Sequence, residues 1–470
     1  IHDRGDQLTV ALLLAEFCYA FSPSAKLLSC PANRNNYMPS NTKPKTKGET
    51  PKIPRGMRDL MGDTFYAYQG LAERAAEIAL YYGFTAIETP MLEAESLFTR
   101  AIGEATDIVD KEMYTLKTRG GDRLALRPEG TAPVMRAYFD NGLQTQPQPV
   151  MLYYSGPFFR HDSPQRGRYR QFYQFGLEII GTGKSIAEAM IIKTFTLILG
   201  EVGLDNLHVE INSIGDKECR PAYRRELAAY YRKHHKNLCA DCRERLKTNP
   251  LRLLDCKNPA CQQIKQGAPT PVSYLCAACK KHFKEVLEYL ETMGVTYEIN
   301  HQLVRGLDYY SRTVFEIVDR APGEDTPLAL AGGGRYDYLA RALGSRKDLP
   351  AVGGAIGLDR VLSAPGIKTI NPRLIKKPKI FFIQLSFEAK LHSFEVIEIL
   401  RRARVPIAQS LSKDSLSAQL GMAERLGVPY ALILGQKEAL EGTVILRNMS
   451  TRSQDTIKID HLAENLKNLK

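Results

Sequence analysis

Arginine, glycine and acidic residues recur together in five segments of this 470-residue chain. LRPEGTAPVMRAY (126–138) sets Glu129 and Thr131 directly after a proline turn. GPFFRHDSPQRGRYRQFYQFGLEIIG (156–181) carries Arg160, Arg166, Arg168 and Arg170, then Gln174 and Glu178. LVRGLDYYSRTVFEIV (303–318) crowds Arg305, Asp308, Tyr309, Tyr310 and Arg312 in front of an alternating strand. AGGGRYDYL (331–339) has three consecutive glycines before Arg335 and Tyr336, and AVGGAIGLDRVL (351–362) places Arg360 just inside a helix. A guanidinium stays charged and grips phosphate through a two-pronged fork, so several from separate segments can hold a triphosphate. There is no GxxxxGK[ST] loop and no glycine-rich strand-to-helix turn of the dinucleotide-binding kind. A nucleotide site here must therefore be built from arginines on an antiparallel sheet. Taken singly, each segment also reads as a solvated hairpin loop or a plain turn; it is their complementarity that points to chemistry.

The elements that must position these residues follow from periodicity. Residues 64–82 bring Phe65, Tyr68, Leu71, Ala75, Ile78 and Ala79 onto one helical face, and Gly83 stops the helix. FTAIETPML reads as a strand with a proline at an edge or bend, and 123–128, 150–159 and 171–180 read as further strands. Gln174 and Glu178 are four apart and share a face of the last of these. Many strands with little βαβ alternation predict an α+β fold: an antiparallel sheet with flanking helices. Residues 218–293, rich in Lys, Arg and Cys, read as a mostly helical insertion. Sheet-like sequence resumes at 297, SAPGIKTINPRLIKKPK forms a linker, and strands alternate with helices beyond it, predicting a small α/β C-terminal domain. The expected division is a leader at 1–52, a catalytic domain at 53–362, a linker at 363–378 and a last domain at 379–470.

A formal charge of +12 makes a polyanion a natural partner. No apolar run reaches the roughly 20 residues of a membrane span. The nearest, LTVALLLAEFCYAF (8–21), follows two Asp and one Arg, the wrong charge for a signal-peptide n-region. Met38, opening a polar, Lys-rich leader, is the expected start of translation, with residues 1–37 an upstream reading artefact. Nine Cys, six of them between 239 and 279, are not a dispersed disulfide framework and point to a reducing cytoplasm.

FRHDSPQRGRYRQFYQFGLE, followed by the GLDR helix, resembles motifs 2 and 3 of the class II aminoacyl-tRNA synthetases, and IPRGMRDL…YGFTAIETPMLE resembles motif 1, the dimer-interface helix and strand. RGLDYYSRTVFE, AGGGRYD and LRPEGTA are similar to signature peptides of the histidyl-tRNA synthetases, a likeness running from about residue 53 to the C-terminus. The resemblance implies activation of L-histidine by ATP with Mg²⁺, transfer to tRNA(His), a homodimer, and a C-terminal anticodon-binding domain. It implies that Arg160 contacts the α-phosphate and stacks near adenine, Arg360 holds the γ-phosphate, and Arg305 reaches the α-phosphate and the histidine carboxylate. Glu178 and Tyr310 then read the two imidazole nitrogens. Glu129, Thr131 and Gln174 hold the α-amino group, and Tyr336 closes the pocket. Asp162 departs from the pattern, standing where a Glu is expected two residues after the motif 2 arginine.

Cys239-Ala-Asp-Cys242, Cys256-x4-Cys261 and Cys276-Ala-Ala-Cys279 form three pairs, which read either as packed or surface thiols or as metal ligands. The two CxxC pairs have the spacing of zinc knuckles, so these four are the expected ligands of one structural Zn²⁺. The surrounding Lys and Arg suggest that the insertion contacts the tRNA acceptor arm. Two other readings compete. A non-aminoacylating paralogue, such as the regulatory subunit of the first enzyme of histidine biosynthesis, would lack the last domain and lose catalytic arginines. A pure RNA-binding protein would leave Glu129, Gln174 and Glu178 without a purpose.

Overall fold

Ten residues in each of β5 (Val150–Phe159) and β6 (Gln171–Ile180) pair without a slip, from Val150 opposite Ile180 to Phe159 opposite Gln171. This hairpin is the spine of the structure, a computed structural model that describes residues 50–467 apart from 104–105, 164–166, 321–327 and 374–375. The expectations for residues 1–37, Met38 and Arg166 lie outside the described residues. Every element belongs to the unit Ile53–Lys470.

Around the spine an eight-stranded sheet forms in the order β1-β5-β6-β11-β10-β9-β7-β8, with β1 (Thr85–Ala86), β7 (Leu207–Ser213), β8 (Tyr297–Ile299), β9 (Ser311–Asp319), β10 (Leu328–Arg335) and β11 (Ala351–Gly357). All pairs are antiparallel except β1 with β5 and β7 with β8. One face packs on α1 (Gly62–Tyr81), α4 (Ile186–Glu201), α8 (Ala277–Thr292) and α10 (Leu358–Ser363) through a core that includes Leu71, Phe195, Leu199, Val286 and Phe315. The other face packs on α2 (Glu95–Ile102), α3 (Thr131–Asp140) and α9 (Leu339–Ala342) through Phe98, Met135, Leu152 and Leu339. Tyr154, Tyr309, Tyr310 and Tyr336 lie in this second core.

The stretch expected as one strand at 84–92 divides. β1 joins the large sheet, whereas β2 (Leu92–Ala94) joins β4 (Arg123–Leu126) and β3 (Thr115–Lys117) in a separate three-stranded sheet. Pro90 between them has no N–H to extend a ladder, and the carbonyl of Thr89 is taken by Nη1 of Arg127 at 2.7 Å.

The insertion is helical as expected: α5 (Arg220–Lys233), α6 (Ala240–Thr248) and α7 (Pro259–Gln266), with 3₁₀ turns between them, lead into α8. Beyond residue 378, β13-β12-β14-β15-β16 make a second sheet from Ile380–Gln384 (β12), Ile407–Gln409 (β13), Tyr430–Leu434 (β14), Thr443–Asn448 (β15) and Gln454–Lys458 (β16). Helices α11 (Phe387–Arg402), α12 (Leu416–Leu426), α13 (Gln436–Glu441) and α14 (Leu462–Lys467) accompany it. Strand β12, every residue of which is buried, separates two small cores. The α+β class is thus the one seen. Among the described residues no helix is long and apolar enough to cross a membrane.

Candidate active site

The pleat of β6 puts Gln174 and Glu178 on one face, and the neighbouring strand leaves space for them: Gln174 lies opposite Gly357 and Glu178 opposite Gly353. The space is obligatory at Gly353, where a Cβ would sit 1.6 Å from Oε2 of Glu178. Glu178 is fully buried. Its Oε1 accepts from the hydroxyl of Thr131 at 2.8 Å and, more weakly, from that of Tyr154 at 3.4 Å, while Tyr336 donates to Oε2. Burial pushes its carboxyl up to about 8, against the three hydroxyl donors and with help from the charge of Glu129.

Glu129 is a second buried carboxylate nearby. It caps α3, accepting the backbone N–H groups of Thr131 at 2.7 Å and Ala132 at 2.9 Å, and Tyr309 donates to it at 3.2 Å. Burial raises this carboxyl also, although the cap bonds favour its charge. Neither acid forms an ion pair among the described residues. Two buried carboxylates held only by neutral donors make a pocket that gains most from a ligand bringing N–H groups or a positive charge.

Across from it the sign reverses. Arg160 donates from Nε to the carbonyl of Pro128 at 2.9 Å and lies over the ring of Phe172. Arg305 pairs with Glu316, and its Nε is buried with no hydrogen-bond partner among the described residues. Gly332 faces that guanidinium so closely that a Cβ there would sit 2.6 Å from Nη1. Arg360 donates from Nη1 to the carbonyl of Ala329 at 2.7 Å. Burial and the charges of Arg168, Arg305 and Arg160 pull Arg360 down to about 10, with Glu316 opposing. A guanidinium depressed by three others gathered around it marks a place prepared for a polyanion.

Each expected residue can now be located. Arg160, Arg305 and Arg360 belong to the cationic half; Glu129, Thr131, Glu178 and Tyr336 belong to the acidic half. Tyr310 is buried against Tyr309, ring centroids 4.7 Å apart, within the electrostatic reach of Arg305 and Glu178. Gln174 is half-buried on the shared face of β6. Asp162 accepts from Nη1 of Arg168 at 3.1 Å, so the shorter acid anchors its own loop.

Four residues that the sequence left without roles belong to the same assembly. Tyr154 reaches Glu178, Tyr309 bridges Glu129 to the ring of Tyr336, and Arg168 and Glu316 help set the charge of the cationic half. Inward alternation along β5 singles out Tyr154 as a core position, but nothing in its spacing reveals a carboxylate partner. Asp308 and Arg312, also without roles, are supports. Asp308 accepts from Nδ2 of Asn249 at 2.8 Å, and Arg312 lies 3.4 Å from Asp216 with a left-handed φ of 51°. Tyr336 is steadied by its neighbour Arg335, all five of whose N–H donors are used. They go to Glu188 twice at 2.6 Å, Asp337 at 3.1 Å, and the carbonyls of Thr182 and Lys184.

The expected zinc site does not form. Cys239 and Cys242 gather with Cys256 and Cys261, while Cys276 and Cys279 gather with Asp216 and Cys219. A CxxC spacing makes a half-site, but the chain's path decides which segment closes it. A cavity of about 640 Å³ is lined by Arg58, Tyr68, Tyr169, Asp359 and Lys377 and by none of these cysteines.

Residues 56–361 match the family model for histidyl-tRNA synthetase, and 379–469 that for an anticodon binding domain. A histidine–tRNA ligase of Dehalococcoides mccartyi is 44% identical over 409 residues, 87% of this chain and 97% of that protein. One from Desulforudis audaxviator is 43% identical over 414 residues, 88% and 98% of the two chains. The apo histidyl-tRNA synthetase of S. aureus has a similar crystal structure, with TM-score 0.73 and 31% identity over 89% of this chain and 100% of that one.

Proposed function

The chain belongs to the histidyl-tRNA synthetase family, and from that premise we propose which side chains carry out its two reactions. It uses ATP, with Mg²⁺, to activate L-histidine and transfers the histidyl group to the 3′ end of tRNA(His). In the first reaction a carboxylate oxygen of histidine attacks the α-phosphorus and pyrophosphate leaves; in the second the terminal ribose hydroxyl of tRNA attacks the histidyl carbonyl and AMP leaves. The substrate carboxylate is the nucleophile, so the protein's task is positioning and electrostatic stabilisation.

In our reading the acidic half receives the amino acid. Glu129, Thr131 and Gln174 hold the α-ammonium group, Glu178 accepts the imidazole N–H, Tyr310 donates to the other ring nitrogen, and Tyr336 closes the pocket. The cationic half receives ATP: Arg160 at the α-phosphate and adenine, Arg360 at the γ-phosphate. Arg305, with its spare buried Nε, sits at the join and is assigned to the histidine carboxylate and α-phosphate. The observation that carries this reading is the abutment of a buried acid pair and a mutually repelling arginine cluster, the complement of an amino acid beside a triphosphate. Mg²⁺ is held largely by substrate phosphates and one or two carboxylates; Glu316, a carboxylate within the arginine cluster, fits that part. The ion, when bound, neutralises phosphate charge.

We assign residues 53–362 to catalysis, with 218–293 inserted as a contact for the tRNA acceptor arm. Residues 363–378 are assigned as linker and 379–470 as the anticodon-reading part. We place the protein in the cytoplasm as a homodimer; the exposed Leu80, Tyr81, Met91 and Leu92 at the motif 1 segments suit a partner copy. Light scattering should return twice the chain mass of 52.7 kDa, and a monomer at micromolar concentration would defeat the dimer. Histidine-dependent ATP–pyrophosphate exchange, followed by charging of tRNA(His), tests the site as a whole. Substitution of Arg160, Arg305 or Arg360 should each suppress exchange, and full exchange in any of them would remove that residue from the proposed roles.

A further inference from the structure

The two thiol clusters lie outside the machinery just described and have the geometry of ligand sets. We propose that the insertion and its base hold two separate structural sites for a zinc-class divalent ion. Cys239, Cys242, Cys256 and Cys261 form the first; Asp216, Cys219, Cys276 and Cys279 form the second. Within each set every candidate ligand atom lies within 4.8 Å of every other.

The edge lengths are informative. A tetrahedral ion with bonds to sulfur of about 2.3 Å sets its sulfurs about 3.8 Å apart. Sγ of Cys239 and Sγ of Cys256 are 3.9 Å apart, and those of Cys219 and Cys279 are 3.8 Å apart. A mixed sulfur–oxygen edge in such a site measures about 3.5 Å, and Sγ of Cys219 lies 3.4 Å from Oδ1 of Asp216.

Backbone N–H groups of the kind that support a ligating thiolate point at several of the sulfurs. The N–H of Cys242 points at Sγ of Cys239, that of Asn258 at Cys256, and that of Cys239 at Cys261, each at 3.4 Å. At the second site the N–H of Asp216 points at Sγ of Cys219, also at 3.4 Å. Asp216 offers Oδ1 to the cluster while its Oδ2 faces Nη2 of Arg312 at 3.4 Å, an outer partner that would orient a ligating carboxylate. Sets with three or four thiolates select zinc-like ions over Mg²⁺ or Ca²⁺.

The two sites have different work to do. The first lies inside the small core of the insertion, among Leu227, Tyr231, Leu246 and Leu253. A unit that buries so little apolar surface gains disproportionately from a metal staple. The second sits at the root of the histidine-reading loop. Arg312 donates its N–H to the carbonyl of Gly215 at 2.8 Å, and Ile214 donates to the carbonyl of Arg312 at 2.8 Å. Arg220, next to Cys219, donates to the carbonyl of Tyr310. An ion joining Asp216 and Cys219 to the start of α8 would therefore hold the backbone of Tyr310 and Arg312 in place.

The test uses the full-length chain, expressed with zinc in the medium and purified without chelator. Elemental analysis should give about two zinc ions per chain, with Cys261→Ser and Cys279→Ser each giving about one. Of the two, only Cys279→Ser should raise the KM for histidine. Chain produced in cobalt-supplemented medium should show sulfur-to-cobalt charge transfer and tetrahedral d–d bands, which keeps the question decidable if a serine variant fails to fold. Metal-free protein with all its thiols titratable would overturn the proposal, as would disulfides in either cluster. A single ion per chain, unaffected by one of the two substitutions, would overturn it as well.

Discussion

Replacing Glu178 with Gln removes an ionisable group from the middle of the acidic half while keeping its shape. The amide oxygen can still accept from Thr131, whose hydroxyl is 2.8 Å from Oε1, so the pocket should stand. What is lost is a charged acceptor for the imidazole N–H, a bond worth about 1.5–3 kcal/mol, or roughly 10- to 150-fold in kcat/KM for histidine. KM for ATP should be unchanged, since the arginines are untouched. A pH signature accompanies the loss. The carboxyl of Glu178 lies near 8 in the folded chain, above its ordinary value of 4.5. Its contribution to stability is thus complete below the ordinary value and disappears as pH rises through about 8. Binding neutral imidazole requires the ionised form, so histidine binding below pH 8 releases a proton. The KM for histidine in the unaltered protein should fall as pH rises from about 6.5, where free imidazole loses its own proton, to about 8; E178Q should lack that limb. The assay is ATP–pyrophosphate exchange at saturating ATP with histidine varied across this range. An E178Q variant within threefold of the unaltered kcat/KM, or one with the same pH limb, would refute the assignment.

Three further outcomes follow from the same geometry. Arg305→Ala should slow single-turnover formation of histidyl-adenylate by roughly 10²–10³, as for loss of one donor to a developing oxyanion; a loss under fivefold would dismiss the role. Gly332→Ala sets a Cβ 2.6 Å from Nη1 of Arg305, displacing the end of a flexible side chain. Adenylate formation should fall at least tenfold while the urea midpoint hardly moves, and undiminished activity would show that this guanidinium need not be there. Arg335→Met leaves Glu188 and Asp337 facing a neutral chain in a fully buried setting. It should cost about 3–5 kcal/mol by urea denaturation, and Arg335→Met with Glu188→Met should recover part of that; a loss below 1 kcal/mol would contradict the network.

The periodic elements could be read directly. β5 and β6 occur at the residues expected, and the helix at 62–81 falls within two residues of the expected ends, because long amphipathic or alternating runs express one dominant local preference. The division of residues 84–94 between two sheets was not legible, since it turns on a proline and on Arg127 reaching Thr89 from 38 positions away. Nor was α13, β16 or α14, where short segments derive their structure from the sheet they close.

At the site, residue types and order alone indicated arginines for a triphosphate, because such chemistry demands those functional groups whatever the fold, whereas the polar groups for an amino acid were implied by the family resemblance. Only the tertiary structure showed Glu129 occupied as a helix cap, Tyr309 and Tyr154 serving buried carboxylates, and the glycines of β10 and β11 making room for Arg305 and Glu178. It also regrouped the cysteines. Spacing along the chain is set by local turns, whereas which half-site meets which is set by where helices and strands pack, and that is decided by the burial of residues far away in sequence.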